Sequence, residues 1–224
     1  MPSPKVWRMY LDETCRNLIE RSGKSSVSSV LTDGEKKYYI EAINFRHKIL
    51  GWKRLSFFLK LNSAFIQSEK NTEGIFEPFA ENAFMKAFLS DTILRPSCYQ
   101  CPCKSGKSTS DITIADYWNI QQVLPEFDDD KGISLVLTNT SKGENIFSSC
   151  NVIYKKTGYE ESKGKNEGFH EKINIPLKRE YFFTEINKLD INLSQLIIQV
   201  TRKSFPYRIK LKIKKAIKKL IRYQ

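Results

Sequence analysis

The apolar residues of this chain come in short packets. Its most apolar stretches, Ile133-Ser134-Leu135-Val136-Leu137 and Leu196-Ile197-Ile198, are strand- or turn-sized, far short of the roughly 18–20 residues that a membrane span needs. The sequence is therefore not that of an integral membrane protein, and its core has to be assembled from many small elements. At 224 residues the chain is one domain or two small ones, long enough to bury a real core. Hydrophobic residues make up 40% and charged residues 28%, which excludes a wholly disordered chain. The opening Met1-Pro2-Ser3-Pro4-Lys5-Val6-Trp7 lacks the charged-then-apolar layout of a secretion signal, so a cytoplasmic protein is expected.

Ser3-Pro4 starts a helix, with Ser as N-cap and Pro in the first turn, and Trp7, Tyr10, Leu11, Cys15, Leu18 and Ile19 recur at helical spacing up to Gly23. Val27 to Ile43 reads as two short strands around Thr32-Asp33-Gly34, and Leu55 to Leu61 as another strand. Asn82 to Ser90 is a short helix that delivers the chain into a cysteine cluster. Beyond it, Ser110 to Trp118 alternates as a strand, Asp128-Asp129-Asp130-Lys131-Gly132 breaks the chain, and Ile133 to Thr138 is a buried-type strand. A helix from Gly143 to Cys150, a strand Val152–Tyr154 and a loop over 157–174 complete the pattern. The fold class expected is α+β: a mixed sheet with flanking helices in one domain over residues 1–200, followed by a basic amphipathic helix in a tail over 201–224.

The formal net charge is +12, but residues 201–224 hold ten Lys and Arg and no acid, which leaves +2 on the first 200 residues. A high isoelectric point therefore does not make the body a nucleic-acid binder. Placed on a helix, Ile209, Ile213, Ala216, Ile217 and Leu220 fall within about a 100° sector while most lysines face away. Such a helix over 203–222 suits an anionic membrane surface, peripheral at the inner face of the membrane, or an acidic partner; a helix packed on its own domain fits the pattern equally. Nucleic acid is disfavoured as a partner, because no Trp or Phe follows Phe205 to stack on bases.

Five cysteines, three of them in Cys98-Tyr99-Gln100-Cys101-Pro102-Cys103, do not form a secreted disulfide framework. Two thiols with two residues between them can grip one metal ion or one cluster edge while the intervening turn aims N–H groups at the sulfurs. Three reduced, unliganded thiols satisfy the same pattern, and Cys103 is placed less well for the shared site. Cys15 lies on the apolar stripe of the first helix and reads as a small core residue. Cys15 and Cys150 both sit in apolar helical contexts, so a zinc site would have to draw on His47 or His170.

Other candidates fall away. A thioredoxin-type pair needs a helix opening at the cysteines, which Pro102 and Gly106 oppose. Gly106-Lys107-Ser108 and Gly23-Lys24-Ser25 lack the earlier glycine of a phosphate-binding loop. Asp111, Asp116 and Asp128–Asp130 could act as general acids or ligands, yet acidic turns are usually solvated and two lone histidines give no triad. Arg46-His47-Lys48 beside Gly51-Trp52 reads as surface charge near a packed Trp rather than as a site for an anion or a planar ring.

Taken together, four segments carry a resemblance: Asn44-Phe45-Arg46-His47-Lys48 with Gly51-Trp52-Lys53; Leu94-Arg95-Pro96-Ser97-Cys98-Tyr99-Gln100-Cys101; Ser110-Asp111-Ile112-Thr113-Ile114-Ala115-Asp116-Tyr117-Trp118; and Asp128 to Leu137. In this order they resemble the C-terminal domain of the coenzyme F-420 hydrogenase/dehydrogenase beta-subunit family, over roughly residues 2–140. The branch most resembled is the bacterial one often encoded among polysaccharide-biosynthesis genes. The resemblance implies an iron–sulfur flavoprotein oxidoreductase that transfers electrons between a flavin, FAD or the deazaflavin coenzyme F-420, and a 4Fe-4S cluster. On that basis Cys98 and Cys101 are expected as cluster thiolates, with Arg95, Asp111 and Asp116 shaping the cofactor site.

Family members carry a cysteine-rich, ferredoxin-like N-terminal part followed by Cys-His-Gly-x-Pro-Ser-Pro, whereas this chain begins Met1-Pro2-Ser3-Pro4. The expectation is a truncated or split member that depends on a ferredoxin-like, cysteine-rich chain or domain for its remaining cysteines and much of its flavin site. His47 replaces a usually acidic residue, and Asn119 stands where glycine is common. The alternative is a non-catalytic remnant, or a zinc-stabilised interaction module built on Cys98 and Cys101.

Overall fold

The computed structural model describes residues 1–21, 38–63, 74–104, 108–163, 166 and 173–202. The chain opens with helix α1 (Pro4–Arg21) and passes to strands β1 (Tyr38–His47), β2 (Ser56–Ser63) and β3 (Gly74–Pro78), with a short 3-10 turn at Trp52–Arg54. Helices α2 (Ala83–Leu89) and α3 (Pro96–Tyr99) lead to β4 (Ile112–Asp116), α4 (Ile120–Val123) and β5 (Ser134–Thr138). Helices α5 (Ser141–Ser148), α6 (Tyr159–Lys163), α7 (Arg179–Glu185) and α8 (Leu193–Thr201) follow. The architecture is α+β, as expected. Among the described residues the single mixed sheet is replaced by two antiparallel ones: β1-β2-β3 and the two-stranded β4-β5.

The three-stranded sheet turns Phe57 and Leu59, both fully buried, towards α1, α2, α7 and α8. From α1 come Val6, Tyr10, Leu11, Cys15 and Leu18; from α8 come Leu193, Leu196, Ile197 and Val200. The α8 residues lie at i, i+3, i+4 and i+7, one face of a helix. Trp7 packs 4.8 Å from Phe84 and 5.4 Å from Phe45, centroid to centroid, so the contact is largely aromatic.

Two buried polar residues join these elements. Asn82, fully buried, accepts the Met85 N–H at 2.9 Å as the N-cap of α2 and donates to the Tyr10 hydroxyl at 2.8 Å and to Glu77 at 2.9 Å. The Glu13 carboxylate accepts the N–H groups of Leu193 at 2.7 Å and Ser194 at 3.1 Å, placing negative charge at the N-terminus of α8.

The β4-β5 ribbon rests on a much smaller cluster centred on Tyr117, Ile120 and Leu135. The expected strands at Leu55–Leu61, Ser110–Trp118 and Ile133–Thr138 and the helices at Asn82–Ser90 and Gly143–Cys150 are present within a few residues. The expected strand Val152–Tyr154 is not one: Ile153 is 91% exposed, and the segment has no ladder partner among the described residues. Within the expected loop 157–174 lies α6, whose first turn is closed by the Gly158 N–H donating to Glu161 at 2.9 Å. The Thr32-Asp33-Gly34 turn, the Gly23 end of α1, His170 and the basic helix over 203–222 lie outside the described residues. No helix among them is long and apolar enough to cross a membrane.

Candidate functional site

Cys98 sits on the one-turn helix α3, which Pro96 opens and which Cys98 closes by donating its N–H to the Arg95 carbonyl at 2.9 Å. Cys101 follows one turn later, and both thiols are half-buried. Cys103 is exposed. The turn hangs on the residue between the two thiols: from Arg95 to Cys103, only Tyr99 is buried. Its hydroxyl donates to the Asp91 carbonyl. Burial pushes the Tyr99 phenol above its ordinary pKa, while the Arg179 guanidinium 5.0 Å over the ring pulls the other way.

The first residues of the chain are laid against this turn. Pro2 forms an antiparallel bridge with Leu94, Ser3 donates to Ile93 at 2.7 Å, and Arg95 donates to Met1 at 3.0 Å. The Arg95 side chain reaches the Pro2 carbonyl through Nε at 3.4 Å. The Met1 amine lies 3.0 Å from Cys98 Sγ. Arg95 and Cys98 thus meet through the backbone of one turn, with the backbone at residue 1 alongside them.

Asp116 and Asp111 have their partners elsewhere. Asp116, at the end of β4, pairs with Arg46 at 2.5 Å, joining β1 to the ribbon. Around that pair, Trp52 and Trp118 stack with centroids 5.1 Å apart and planes inclined 20°. Arg46 stands 4.9 Å over Trp52 and 5.7 Å over Trp118, and Lys48 stands 4.9 Å over Trp52. Trp52 is buried and Trp118 is 40% exposed. Gly132, at φ 94°, lets the chain lie flat on the Trp52 ring; a Cβ there would meet a ring carbon at 2.7 Å.

The acidic turn closes the same joint. The Trp52 N–H donates to the Asp130 carbonyl at 3.0 Å, the Lys53 N–H to the Asp130 carboxylate at 3.1 Å, and Lys53 pairs with Asp128 at 2.6 Å. The Asp128 side chain is only 6% exposed, so this acid is enclosed rather than solvated. The Lys53 ammonium holds the Asp128 carboxyl below its ordinary pKa. Asp111 caps another contact: it accepts the Thr140 hydroxyl at 2.7 Å and pairs with Lys142 at 3.1 Å, both at the start of α5, and these bonds depress its pKa.

The remaining thiols and the nearer histidine do not join Cys98 and Cys101. Cys15 is 1% exposed, and burial pushes its thiol up to about 11, as a core residue requires. Cys150 is exposed, correcting its assignment to an apolar setting; its thiol donates to the Ile146 carbonyl. The His47 ring packs 5.6 Å from Phe58 and 5.7 Å from Phe76 on the sheet, and its Nδ1 accepts the Ile49 N–H at 3.4 Å. Among the described residues, no group of three or more His, Cys, Asp or Glu is gathered for a metal ion. The donor set thus provides two thiols towards a 4Fe-4S cluster, which takes four, and does not fit that cluster by itself.

The family model for the C terminus of the coenzyme F420 hydrogenase/dehydrogenase beta subunit matches residues 22–162. The chain belongs to this family. The span shared with the family holds the cysteine turn, the Arg46–Asp116 joint, the acidic turn and the whole ribbon. Helices α1, α7 and α8 lie outside it yet supply half the walls of the main core. No curated protein and no solved structure matches the chain. Asn119 is buried and ties α4 to α6 by donating to the Glu161 carbonyl at 3.0 Å. Arg179 and the pairing of Arg46 were missed in the sequence; only the aromatic neighbours Tyr181, Phe182 and Phe183 hint at a stacked arginine.

Proposed function

We propose that this member of the family is an electron-transfer module of an iron–sulfur flavoprotein oxidoreductase and contributes Cys98 and Cys101 as one half of a cluster site. The observation that carries the reading is the cysteine turn itself. Two half-buried thiols one helical turn apart are held on a rigid, buried anchor while the rest of a donor set is missing among the described residues. A cluster needs two further thiolates, and a ferredoxin-like, cysteine-rich chain or domain is the partner whose chemistry provides them. The Arg95 carbonyl accepts the Cys98 N–H, so this residue sits at the base of the cysteine turn, and charge near a cluster tunes its potential. When bound, FAD would supply both hydride and single-electron chemistry, and the deazaflavin coenzyme F-420 hydride chemistry alone.

The test is reconstitution with iron and sulfide. The isolated chain is expected to take up little of either, and a co-expressed cysteine-rich partner to raise both to stoichiometric levels. Cys98→Ser or Cys101→Ser should abolish that gain, and Cys15→Ser should leave it intact. A gain untouched by Cys98→Ser would overturn the ligand assignment. Zinc in place of iron and sulfide would turn the reading towards an interaction module.

A further inference from the structure

Arg179 reaches the cysteine turn from about eighty residues downstream, a position read off the sequence. Its guanidinium lies 5.0 Å over Tyr99 and 4.3 Å over Phe183, between the turn and its own helix α7. In the same pose its Nη1 donates to the Thr92 carbonyl at 2.5 Å. Tyr99 lies between the two thiols in sequence, and Thr92 lies on the opposite arm of the same loop. Thr92 is buried and is held in turn by a hydroxyl contact of 2.9 Å to Ser90. A planar cation can therefore grip both arms at once, one by cation–π attraction and one by a charged hydrogen bond.

We propose that Arg179 is the positioning residue for the thiol pair: by clamping Tyr99 against the Thr92 arm, it sets the spacing and direction of Cys98 and Cys101. The turn has no other buried side chain to set them. Pro96, Ser97, Gln100 and Pro102 are exposed, so besides the Tyr99 hydroxyl on the Asp91 carbonyl and the backbone of Met1 to Ser3 along Ile93 to Arg95, the Arg179 clamp is the side-chain contact that crosses α3. A helix of one turn does not hold its own geometry. This inference rests on the reading of Cys98 and Cys101 as a ligand pair, and it goes beyond the family match, because Arg179 lies outside the matched residues 22–162.

The test uses the full chain with Cys103→Ser and Cys150→Ser, which removes the exposed thiols, and cadmium ion as the probe. Cadmium binding is followed by the ultraviolet thiolate-to-metal band and by titration. The parent is expected to bind one cadmium ion through the pair and to lose it with Cys98→Ser. Arg179→Gln, which keeps a donor for Thr92 but removes the cation over Tyr99, should weaken binding about 10–100-fold, the range typical of groups that orient ligands. Arg179→Lys should recover part of that loss, and the thermal midpoints should stay close to the parent's. Equal affinity in Arg179→Gln and the parent would overturn the positioning role. So would weakened binding accompanied by loss of cooperative unfolding in both Arg179 variants, because the residue would then serve only the fold. A parent that binds no cadmium would instead overturn the ligand-pair reading itself, and the inference with it.

Discussion

The three-stranded sheet and the β4-β5 ribbon are both antiparallel, yet they are stabilised by different means. The sheet is covered by α1, α2, α7 and α8, and Phe57, Leu59, Phe84, Phe182 and Ile197 in that core are at most 1% exposed. The ribbon has three buried apolar residues of its own, and on its open face Ile114 is 70% exposed. A two-stranded ribbon is marginal alone in water. What holds this one is polar and aromatic: Arg46 with Asp116, Lys53 with Asp128, and Trp118 on Trp52. Burial makes one half of the molecule rigid, and a charged joint docks the other half to it. The cysteine turn belongs to the rigid half, through Tyr99, Ile93 and Leu94.

The largest expected effect comes from emptying the main core. Phe84→Ala should cost about 3–5 kcal/mol, because a fully buried ring leaves a cavity that its aromatic neighbours cannot fill. Leu135→Ala, 7% exposed in a small cluster, should cost roughly 2 kcal/mol, because a loose site collapses more easily. Urea denaturation of both variants measures the difference. Equal losses would show that the ribbon is as well packed as the sheet.

The alkaline limb of stability separates the halves next. Burial pushes the Tyr10 phenol up from 10.0 to about 12, with the Asn82 hydrogen bond acting against it. Between those values the unfolded tyrosine ionises and the folded one does not, so the unfolded state binds fewer protons and stability falls as pH rises. The contribution is fully present below pH 10.0 and lost as pH climbs to about 12, a loss of about 2–3 kcal/mol. Cys15 acts in the same direction between 9.0 and about 11. Denaturation midpoints of the parent and of Tyr10→Phe, measured across that range, check it: the variant should show a shallower decline.

The joint should respond at the other end of the scale. Lys53 depresses the Asp128 carboxyl from its ordinary 3.8, so its contribution is present above that value and lost as pH falls through the lowered one. Hydrogen exchange of amides in 128–138 should quicken below pH 4, in advance of the sheet's amides. Asp128→Asn should quicken it at neutral pH and flatten the acid dependence. Exchange of both regions in step, at every pH, would mean that the ribbon opens only with the whole molecule.

The same contrast governs what could be read from the sequence. Elements with a private pattern were legible: the stripe of α1, the short helix from Asn82, the alternation of β4 and the apolar run of β5. Strand β3 has five residues with Gly74 and Pro78 at its ends and exists because β2 offers it an edge, which no local pattern encodes. Helix α8 was missed although Leu193, Leu196, Ile197 and Val200 carry a helical period; the apolar packet Leu196-Ile197-Ile198 hid it. At the site, the thiol pair was legible because both cysteines lie in one turn. The grip of Arg179 on Tyr99 was not, because it joins residues far apart in the chain through ring faces rather than through a motif. Asp111 and Asp116 stood out only through the family resemblance and not as partners of Lys142 and Arg46, since pairing across elements has no spacing.

The smallest effect expected lies at a buried polar residue beside the ribbon. Asn119 is 6% exposed; its amide donates to Glu161 at 3.0 Å, while its Oδ1 has no partner among the described residues. Removing the side chain forfeits one hydrogen bond of about 1 kcal/mol but also relieves a buried acceptor whose isolation costs about 1–3 kcal/mol. Glycine adds a backbone entropy cost of roughly 0.5–1 kcal/mol. These terms nearly cancel, so Asn119→Gly should change stability by less than about 1 kcal/mol. Asn119→Asp should cost more, because it replaces the donor facing the Glu161 carbonyl with a second buried acceptor that bears charge. Chemical denaturation of the two variants side by side decides the matter. A large loss in the glycine variant would show that the α4–α6 tie is a main support of the ribbon, and that the joint to the sheet carries correspondingly less.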